Sequence, residues 1–393
     1  MIMGVIDLSD VTVLRGRTRV LDKWSISIDS GEVVCLSGEN GCGKSTVIET
    51  AAGLIPLENG SSTISGQLIR DSEGRRGRTN FGLCLQEDCV MGDELVGERI
   101  QDAAGFNFDV APLLKLWGLD HRIHDRIAML SGGQRRKVAL LSGLIPAMIS
   151  SEPVAVLLDE ADSGLDDESK NELVKTIRNL AAGGHAILMA SHDSKIINSA
   201  DRIVKFPFEE KRNSTLEGKF ECLVTTSERT TLIGHRLNLR TLCGLANNGI
   251  AGLLTLGALI ALFNPQNLEG KEEMGFIMAP ALAAGLCGNP INKLLMENRS
   301  HAWWSTKSQI LPNSIFHSFI LYLLLTFAAS VVTNNLDWIA ILAGGLLGVI
   351  TEACVALITQ STLKLSRPNA VMIRLLTPVL ILPWALVVDT LTT

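Results

Sequence analysis

Near the start of the chain, one short motif restricts the possible folds more than any other feature. It runs Gly38-Glu39-Asn40-Gly41-Cys42-Gly43-Lys44-Ser45 and matches the pattern G-x-x-x-x-G-K-[ST]. An apolar run at 33–37 precedes it, and a segment of helical pattern at 46–54 follows it. This order suits a phosphate-binding loop, because backbone N–H groups at a helix N-terminus then converge on the anion.

The motif predicts a role for several of its side chains. We expect Lys44 to place its charge at the β- and γ-phosphate oxygens of a nucleotide and Ser45 to ligate Mg²⁺. The other residues expected to contact the nucleotide are Gly38, Asn40, Gly41, Gly43 and Thr46.

Short apolar runs recur along the first half of the chain. Two β-rich runs, at 11–14 and 24–28, come before the motif, and three more lie at 154–158, 186–190 and 203–206. The later runs are typical of parallel strands covered on both faces. A long, mostly polar stretch before 154 has a largely helical pattern. The first half therefore predicts an α/β core with an inserted helical subdomain.

Two carboxylates follow the apolar run at 154–158. Ligands bind at the carboxyl ends of strands in open α/β sheets, which places Asp159 and Glu160 beside the phosphate loop. We expect Asp159 to hold Mg²⁺ through water and Glu160 to orient or deprotonate the attacking water.

A second glycine-bearing motif narrows the class of phosphate-loop protein. In Leu130-Ser131-Gly132-Gly133-Gln134 the serine is a favourable N-cap, and a helical pattern continues to Leu141. The N–H groups at the start of this helix form a site for an anion, and the motif itself does not supply that anion. Together with Lys44 and the acidic pair, this motif resembles the ATP-binding-cassette (ABC) family over roughly residues 4 to 210.

The resemblance implies further partners and site residues. In this family the segment Ser131 to Gln134 reaches the γ-phosphate of ATP held by a second copy of the domain, so a second ABC subunit is implied, as homodimer or heterodimer. Gln86 is similar to the glutamine that touches Mg²⁺ or water, and His192 to the histidine at the γ-phosphate. Asp166, in Ser163-Gly164-Leu165-Asp166, is similar to the aspartate of the loop that couples the two sites.

One departure from the family concerns adenine. An aromatic residue usually stacks on the base, whereas Val13, Leu14, Arg15 and Gly16 occupy that region and the single tyrosine is Tyr322. The guanidinium plane of Arg15 or Arg17 is the candidate replacement. The pair Ala161-Asp162, in place of the more usual Pro-Thr type, is expected to matter little.

Long apolar runs fill the second half of the chain. Candidate membrane spans lie at 242–263, 274–290, 315–333, 338–359 and 370–388, each near the ~20 residues that a crossing helix needs, although the second is short. We therefore predict a lipid bilayer as a partner of this half and an all-α transmembrane domain with about five helices.

The loops between these runs predict their orientation. Lysine and arginine are concentrated in the second and fourth loops. The first loop is acidic, and the third has one charged residue, Asp337. The positive-inside rule then places the N-terminal ATPase in the cytoplasm. Trp303, Trp304, Trp338 and Trp384 are each expected either at or near a membrane interface or in plain packing inside the fold. Glu352 lies inside the fourth run. It is expected either to line a path across the membrane or to snorkel to the cytoplasmic end of that span.

Domain boundaries follow from the change of composition. We predict an ABC ATPase domain at 1–215, a linker with an interfacial connecting helix at 216–243, and a transmembrane domain at 244–393. Arg229, Arg236 and Arg240 share one face of that connecting helix, as in a helix at headgroup level.

The second loop of the membrane half, 291–310, is expected to be cytoplasmic. It carries Glu297-Asn298-Arg299 and is similar to the loop of exporters whose acidic coupling helix docks on the ATPase.

These features predict the fold and the function together. The fold class is an α/β ABC-type P-loop nucleotide-binding domain with a helical subdomain, followed by an all-α transmembrane domain. The function is that of an exporter half transporter that hydrolyses ATP to move an unspecified substrate across the cell membrane. The alternatives are an ATPase like that of the haem exporter of cytochrome c maturation, or a membrane-anchored ATPase acting on protein partners. A net charge of −6 argues against a nucleic-acid partner.

Overall fold

The computed structural model describes residues 4–206, 209–213, 217–223, 235–290, 295–307, 315–363 and 377–392. The chain forms two compact units. The first comprises Met1–Gly234 and Leu294–Leu311, and the second comprises His235–Lys293 and Pro312–Thr393. The chain therefore enters the second unit, returns to the first for a short segment, and enters the second again.

A largely parallel sheet forms the centre of the first unit. Its strands are β3 (Val33–Ser37), β6 (Gly82–Cys84), β7 (Ala155–Asp159), β8 (Ala186–Ala190), β9 (Arg202–Lys205) and β10 (Glu209–Arg212). They follow the order β10-β9-β3-β8-β7-β6, and only β10 pairs in the antiparallel sense. Every residue of β7 and β8 is buried. This burial accounts for their unbroken apolar sequences and confirms the predicted α/β fold class.

A second, antiparallel sheet belongs to the same unit. It contains β1 (Ile6–Arg15), β2 (Thr18–Ile28), β4 (Asn59–Ile64) and β5 (Gln67–Asp71) in the order β2-β1-β4-β5. Strands β1 and β2 are longer than the runs that predicted them. Their outer residues are partly polar, so apolar content alone does not mark their ends.

Six helices complete the cassette portion of the first unit among the described residues. They are α1 (Lys44–Ala51), α2 (Val96–Ala104), α3 (Ala111–Leu116), α4 (Gly132–Met148), α5 (Asp167–Ala182) and α6 (Ser194–Asn198). Helices α2 and α3, with 3₁₀ turns at Asp120–Arg122 and Ile127–Met129, form the inserted helical part between β6 and α4. A short helix, α9 (Ser300–Lys307), lies in the returning segment.

The described helices of the second unit are α7 (His235–Leu262), α8 (Lys271–Leu286), α10 (Ile315–Val332), α11 (Trp338–Leu363) and α12 (Ile381–Thr392). Their shared core includes Met278, Ala281, Tyr322, Leu347 and Trp384. Large apolar side chains such as Leu254, Phe316 and Ile339 are more than half exposed. Such a surface suits hydrocarbon rather than water.

Three of these helices are long and apolar enough to cross a membrane. They are the stretches Cys243–Leu262, Ile315–Val332 and Trp338–Thr359, and Ile381–Leu391 is a shorter apolar helix. The predicted span 274–290 falls largely in α8, which has 16 residues. Of the predicted span 370–388, positions 370–376 lie outside the described residues.

One helix crosses the boundary predicted at 243/244 between the connecting helix and the transmembrane domain. From His235 onward a single helix of 28 residues continues through position 243 to Leu262. Residues 224–234 of the predicted connecting helix lie outside the described residues.

Candidate functional site

The phosphate loop joins the end of β3 to the first turn of α1. Gly38 and Gly43 have φ angles of 147° and 114°, and a Cβ on Gly43 would lie 2.9 Å from Val20 Cγ1. Glycine is therefore required at both turns of the loop. The buried Lys44 ammonium donates hydrogen bonds to the carbonyl oxygens of Gly38 and Glu39, both at 3.0 Å. The loop thus holds its lysine inside the anion cradle.

The remaining predicted loop residues differ in exposure. Asn40 and Gly41 are exposed at the tip, whereas Thr46 is buried in the first turn of α1. The loop therefore offers its backbone to solvent while α1 packs against the core.

Ser45 and Asp159 meet where α1 begins and β7 ends. The Ser45 hydroxyl donates to Asp159 Oδ1 at 3.2 Å. Burial raises the pKa of the Asp159 carboxyl to about 6, and the neighbouring carboxylates of Glu160 and Glu49 add to the rise. A group placed in this way favours a cation close by, because a cation would offset the cost of burying its charge.

The Glu160 carboxylate joins two side chains that are far from it in the sequence. Gln86 Nε2 donates to Glu160 Oε2 at 3.3 Å, and His192 Nε2 lies 3.5 Å from Glu160 Oε1. Glu160 itself has a φ of 45°, in the left-handed region. Such conformations cost free energy and occur often at functional sites. The structure thus brings together the three residues expected to act on water and the γ-phosphate.

The second glycine motif begins α4 at the protein surface. Ser131 and Gln134 form a capping box, in which Gln134 N donates to Ser131 Oγ at 3.3 Å and Ser131 N to Gln134 Oε1 at 3.1 Å. Ser131 and Gly132 are exposed, and a Cβ on Gly132 would meet nothing within 4 Å. Among the described residues, no hydrogen bond or ion pair links Ser131 to the phosphate loop of its own chain.

Asp166 links this motif to the acidic strand end. Its carboxylate caps α5 by accepting from Ser169 N at 2.8 Å and pairs with Lys137 of α4 at 3.1 Å. The hydrogen bonds from Ser169, with that from Lys137, lower the pKa of Asp166 to about 2. Nearby, a Cβ on Gly133 would lie 3.3 Å from Gly164 O, so the two loops pack closely.

Arg136 was not identified from the sequence. Its buried guanidinium donates to the carbonyl oxygens of Leu85, Gln86, Asp159 and Glu160 at 2.7–3.2 Å. It therefore ties the strand end that carries the carboxylates to the loop that carries Gln86. The available signal was its spacing, since Arg136 lies four residues before the fully buried Leu140 on the core face of α4.

Both arginines proposed to replace the adenine-stacking aromatic are exposed. The Arg15 guanidinium forms an ion pair with Glu49 of α1. Glu49 is buried, so this pairing holds Arg15 toward the phosphate-loop helix.

The returning segment contacts the cassette beside Gln86. Cys89 N donates to Asn298 O and Asn298 Nδ2 donates to Val90 O, each at 3.1 Å. The Arg299 guanidinium lies 2.8 Å from Glu49 Oε1 and 3.0 Å from Glu87 Oε2. One arginine therefore connects the phosphate-loop helix to the residue that follows Gln86.

Two tryptophans of this segment are buried inside the first unit. Trp303 and Trp304 are buried, at 1% and 0% exposure, and the Arg99 guanidinium carbon lies 3.4 Å from the Trp303 ring centroid. Trp303 and Trp304 therefore follow the packing alternative, and the cation over its indole face favours the buried position of Trp303.

The second unit buries one carboxylate. Glu352 is 2% exposed and accepts hydrogen bonds from Ser318 Oγ at 3.1 Å and Tyr322 Oη at 2.7 Å. Asn248 Nδ2 in turn lies 3.4 Å from Tyr322 Oη. Glu352 is thus held within the helix bundle and does not reach its end.

Known proteins match the cassette portion of the chain in sequence. Residues 21–163 match the family model described as ABC transporter. The macrolide export ATP-binding/permease protein MacB of Hyphomonas neptunium is 30% identical over 217 residues, which are 51% of this chain and 33% of that protein. The energy-coupling factor transporter ATP-binding protein EcfA2 of Thermotoga maritima is 34% identical over 203 residues, 47% of this chain and 71% of that protein. This chain thus spans about a third of the MacB relative.

Solved structures of ABC cassettes match about half of this chain. An ATP-binding subunit of an ABC transporter is 22% identical with a TM-score of 0.45, and covers 53% of this chain and 90% of its own. A bacterial ABC transporter cassette described as dimeric is 19% identical with a TM-score of 0.44, and covers 53% of this chain and 98% of its own.

Proposed function

The chain belongs to the ABC transporter family, and from that premise we propose that it is an exporter half transporter. In this proposal its first unit, an ABC ATPase, binds and hydrolyses ATP, and its second unit provides the path across the membrane. The observation that carries the proposal is the return of residues 295–307 to the ATPase from between helices of the second unit. A chain built in this way can transmit a change at the nucleotide to its apolar helices.

Hydrolysis is assigned to the group around Glu160. Its carboxylate would accept a proton from, or orient, the water that attacks the γ-phosphate, while Gln86 and His192 fix the position of that carboxylate. Lys44 would place positive charge against the phosphate oxygens. The carbonyl groups of the phosphate loop already hold its ammonium group in position. Arg136 would hold Asp159, Glu160 and Gln86 in their relative positions without contacting ATP.

The donors around Ser45 suit Mg²⁺. This cation prefers oxygen ligands and is usually held by one or two protein groups together with substrate phosphates. The hydroxyl of Ser45 and the buried carboxylate of Asp159 are such groups, and Gln86 offers an amide oxygen nearby. When bound, Mg²⁺ would neutralise charge on the phosphates and on Asp159.

Pairing with a second ABC subunit would complete the site. Ser131 and Gly132 face solvent at the N-terminus of α4, where the helix dipole favours an anion, but their own chain does not bring them to Lys44. A partner cassette, in the simplest case a second copy of this chain, would place them on the γ-phosphate. A two-fold arrangement would then form two equivalent sites.

The membrane assignment rests on the helices of the second unit. Apolar stretches of 18–22 residues suit a bilayer, and the lysines and arginines of the second and fourth loops support an orientation with the ATPase on the cytoplasmic side. We assign the chain to the cell membrane as a multi-pass protein. Export is the proposed direction, in line with the names of the MacB relatives.

A glutamate replacement tests the catalytic part of the proposal. In liposomes, Glu160→Gln is expected to lower ATP turnover by at least about 100-fold while ATP still binds, because the amide cannot accept the proton. Glu152→Gln, at an exposed glutamate outside the site, is the matched control. Unchanged turnover in Glu160→Gln would remove this residue from the mechanism.

The same vesicles test the direction of transport. A panel of candidate substrates is screened for stimulation of turnover, and ATP-driven movement is then followed for each one that stimulates. In vesicles with the ATPase outside, export corresponds to accumulation in the lumen. Loss of substrate from loaded vesicles would instead indicate import.

A further inference from the structure

A basic pocket of about 540 Å³ lies in the first unit, away from the phosphate loop. One side is formed by residues 52–54, just after α1, and by Ile69 of β5 with the turn that follows it. The other side is formed by the start of the returning segment and by α9. This volume falls within the range of pockets that hold small molecules.

The charge of the lining is one-sided. Arg76, Arg78, Arg299 and His301 line the pocket, whereas none of its described lining residues is an aspartate or a glutamate. The acidic residues of the adjacent turn contact another arginine, since Asp71 and Glu73 lie 2.6 Å and 3.3 Å from Arg75. Arg75 does not line the pocket.

Neighbouring groups add to the positive potential. Arg70 donates to the carbonyl oxygen of Gly53 at 3.1 Å, directly at the pocket wall. Burial, followed by the charge of Arg76, lowers the pKa of Arg70. The guanidinium groups are therefore close enough to repel one another, and an anion between them would relieve that repulsion.

The shape of the lining suggests which anion fits. Leu54, Ile69 and Phe81 give an apolar wall, and Ser305 and Thr306 also line the pocket, where their hydroxyls donate to the carbonyl oxygens of Ala302 and Trp303. The phosphate-recognising groups of the lining are therefore its arginines, because guanidinium forks match phosphate oxygens. We propose that this pocket is a second anion site, distinct from the ATP site, which binds a phosphate-bearing ligand through Arg76, Arg78 and Arg299.

Such a ligand would act on a residue that already links two parts of the cassette. Arg299 pairs with Glu49 and Glu87, so a phosphate in the pocket competes with these carboxylates for the same guanidinium. Occupancy of the pocket would thereby influence α1 and the loop that carries Gln86. The phosphate could be free in solution or be part of an anionic phospholipid headgroup, and the two sources are separable by experiment.

The test measures binding to the full chain in a neutral detergent, with the phosphate loop filled by saturating AMP-PNP and Mg²⁺. Inorganic phosphate and soluble dihexanoyl phosphatidylglycerol are titrated separately by calorimetry. We expect saturable binding of at least one probe, weakened about tenfold or more by Arg76→Gln with Arg78→Gln. Arg75→Gln, from the same basic run but outside the pocket, is expected to bind as the wild type does.

The two probes identify the source of the phosphate. A further variant tests whether any loss of binding comes from misfolding. Binding of inorganic phosphate assigns a free anion, whereas binding of the lipid alone assigns a headgroup with its apolar stem. Arg76→Lys with Arg78→Lys keeps the charge and is expected to retain most of the binding. Absence of saturable binding by both probes, or equal weakening in Arg75→Gln, would overturn the proposal.

Discussion

The Arg299 guanidinium lies 2.8 Å from one carboxylate oxygen of Glu49, while the other oxygen of that carboxylate pairs with Arg15. Arg299 belongs to a segment that stands between helices of the second unit in chain order, whereas Glu49 lies on the helix that follows the phosphate loop. The contact therefore joins the phosphate-loop helix to a segment that lies in chain order between two stretches of the second unit.

Replacing Arg299 should separate nucleotide binding from its effect on the apolar helices. In a Glu160→Gln background, we expect ATP to change hydrogen exchange in helices 315–332 and 338–363 when Arg299 is present. Arg299→Gln removes both ion pairs and is expected to abolish that change while exchange at the phosphate loop still responds. The measurement is hydrogen exchange by mass spectrometry with and without ATP.

A surface arginine provides the control for this comparison. Within the described part of the chain, Arg19 pairs with two exposed carboxylates, at 3.4 Å and 4.0 Å, so Arg19→Gln should leave the response intact. If Arg299→Gln responded to ATP as fully as Arg19→Gln, the ion pairs of Arg299 would have no part in coupling.

Arg136 should be essential although it is not expected to touch ATP. Lysine at this position cannot reach all four carbonyl groups, and each buried carbonyl left without a donor costs about 1–3 kcal/mol. We therefore expect Arg136→Lys to lower both the melting temperature and ATP turnover. Arg135→Lys is the matched control, because the half-exposed Arg135 contacts mainly Asp88. Equal effects of the two replacements would count against the role given to Arg136.

The raised pKa of Asp159 makes stability depend on pH. Its folded-state pKa of about 6 exceeds the ordinary value of 3.8, so between these values the folded state keeps a proton that the unfolded chain has lost. The free energy of unfolding contributed by this group therefore falls as pH rises through that window. Asp159→Asn removes the free-energy cost of burying the ionised carboxylate. At pH values above this window, that cost is at most about 3 kcal/mol.

Thermal melting of the nucleotide-free protein tests this expectation. Asp159→Asn should melt above the wild type, and its advantage should be larger at about pH 7.5 than at about pH 5. An advantage that grew toward acid pH would show that the sign is wrong.

Glu352 should stabilise the second unit through its two hydroxyl partners. Glu352→Ala would leave the hydroxyls of Ser318 and Tyr322 without their acceptor, at about 1–3 kcal/mol for each buried group. Glu352→Gln keeps one carbonyl oxygen as an acceptor and should cost less. The melting temperature in detergent compares the two, and equal losses would contradict the assigned hydrogen bonds.

Local motifs in the amino-acid sequence predict much of the site. Lys44 and Ser45 belong to one loop, and Asp159 and Glu160 stand at the end of one buried strand, so strand order alone brings them together. The sequence could not reveal the pairing of Arg299 with Glu49, because long-range ion pairs leave no periodic pattern. It also could not reveal that Trp303 has a cation to pack against.

Helix limits were predicted less well where two environments meet. The arginine stripe at 229–240 suggested a separate helix, but backbone hydrogen bonding in α7 continues through position 243 regardless of which solvent surrounds it. Arg136 was missed for a different reason. The role of a charged side chain on the core face of a helix becomes clear only when its carbonyl partners are known.

In the proposed pair, Glu160 of one copy and Ser131 of another complete a single site. Glu160→Gln and Ser131→Arg are each expected to abolish turnover alone, and the decisive measurement is ATPase activity after the two variants are reconstituted together. In a mixed pair, one site receives an intact Glu160 from one chain and an intact Ser131 from the other, so activity should return. If the mixture were as inactive as each variant alone, the two residues would not act across a pair of these chains.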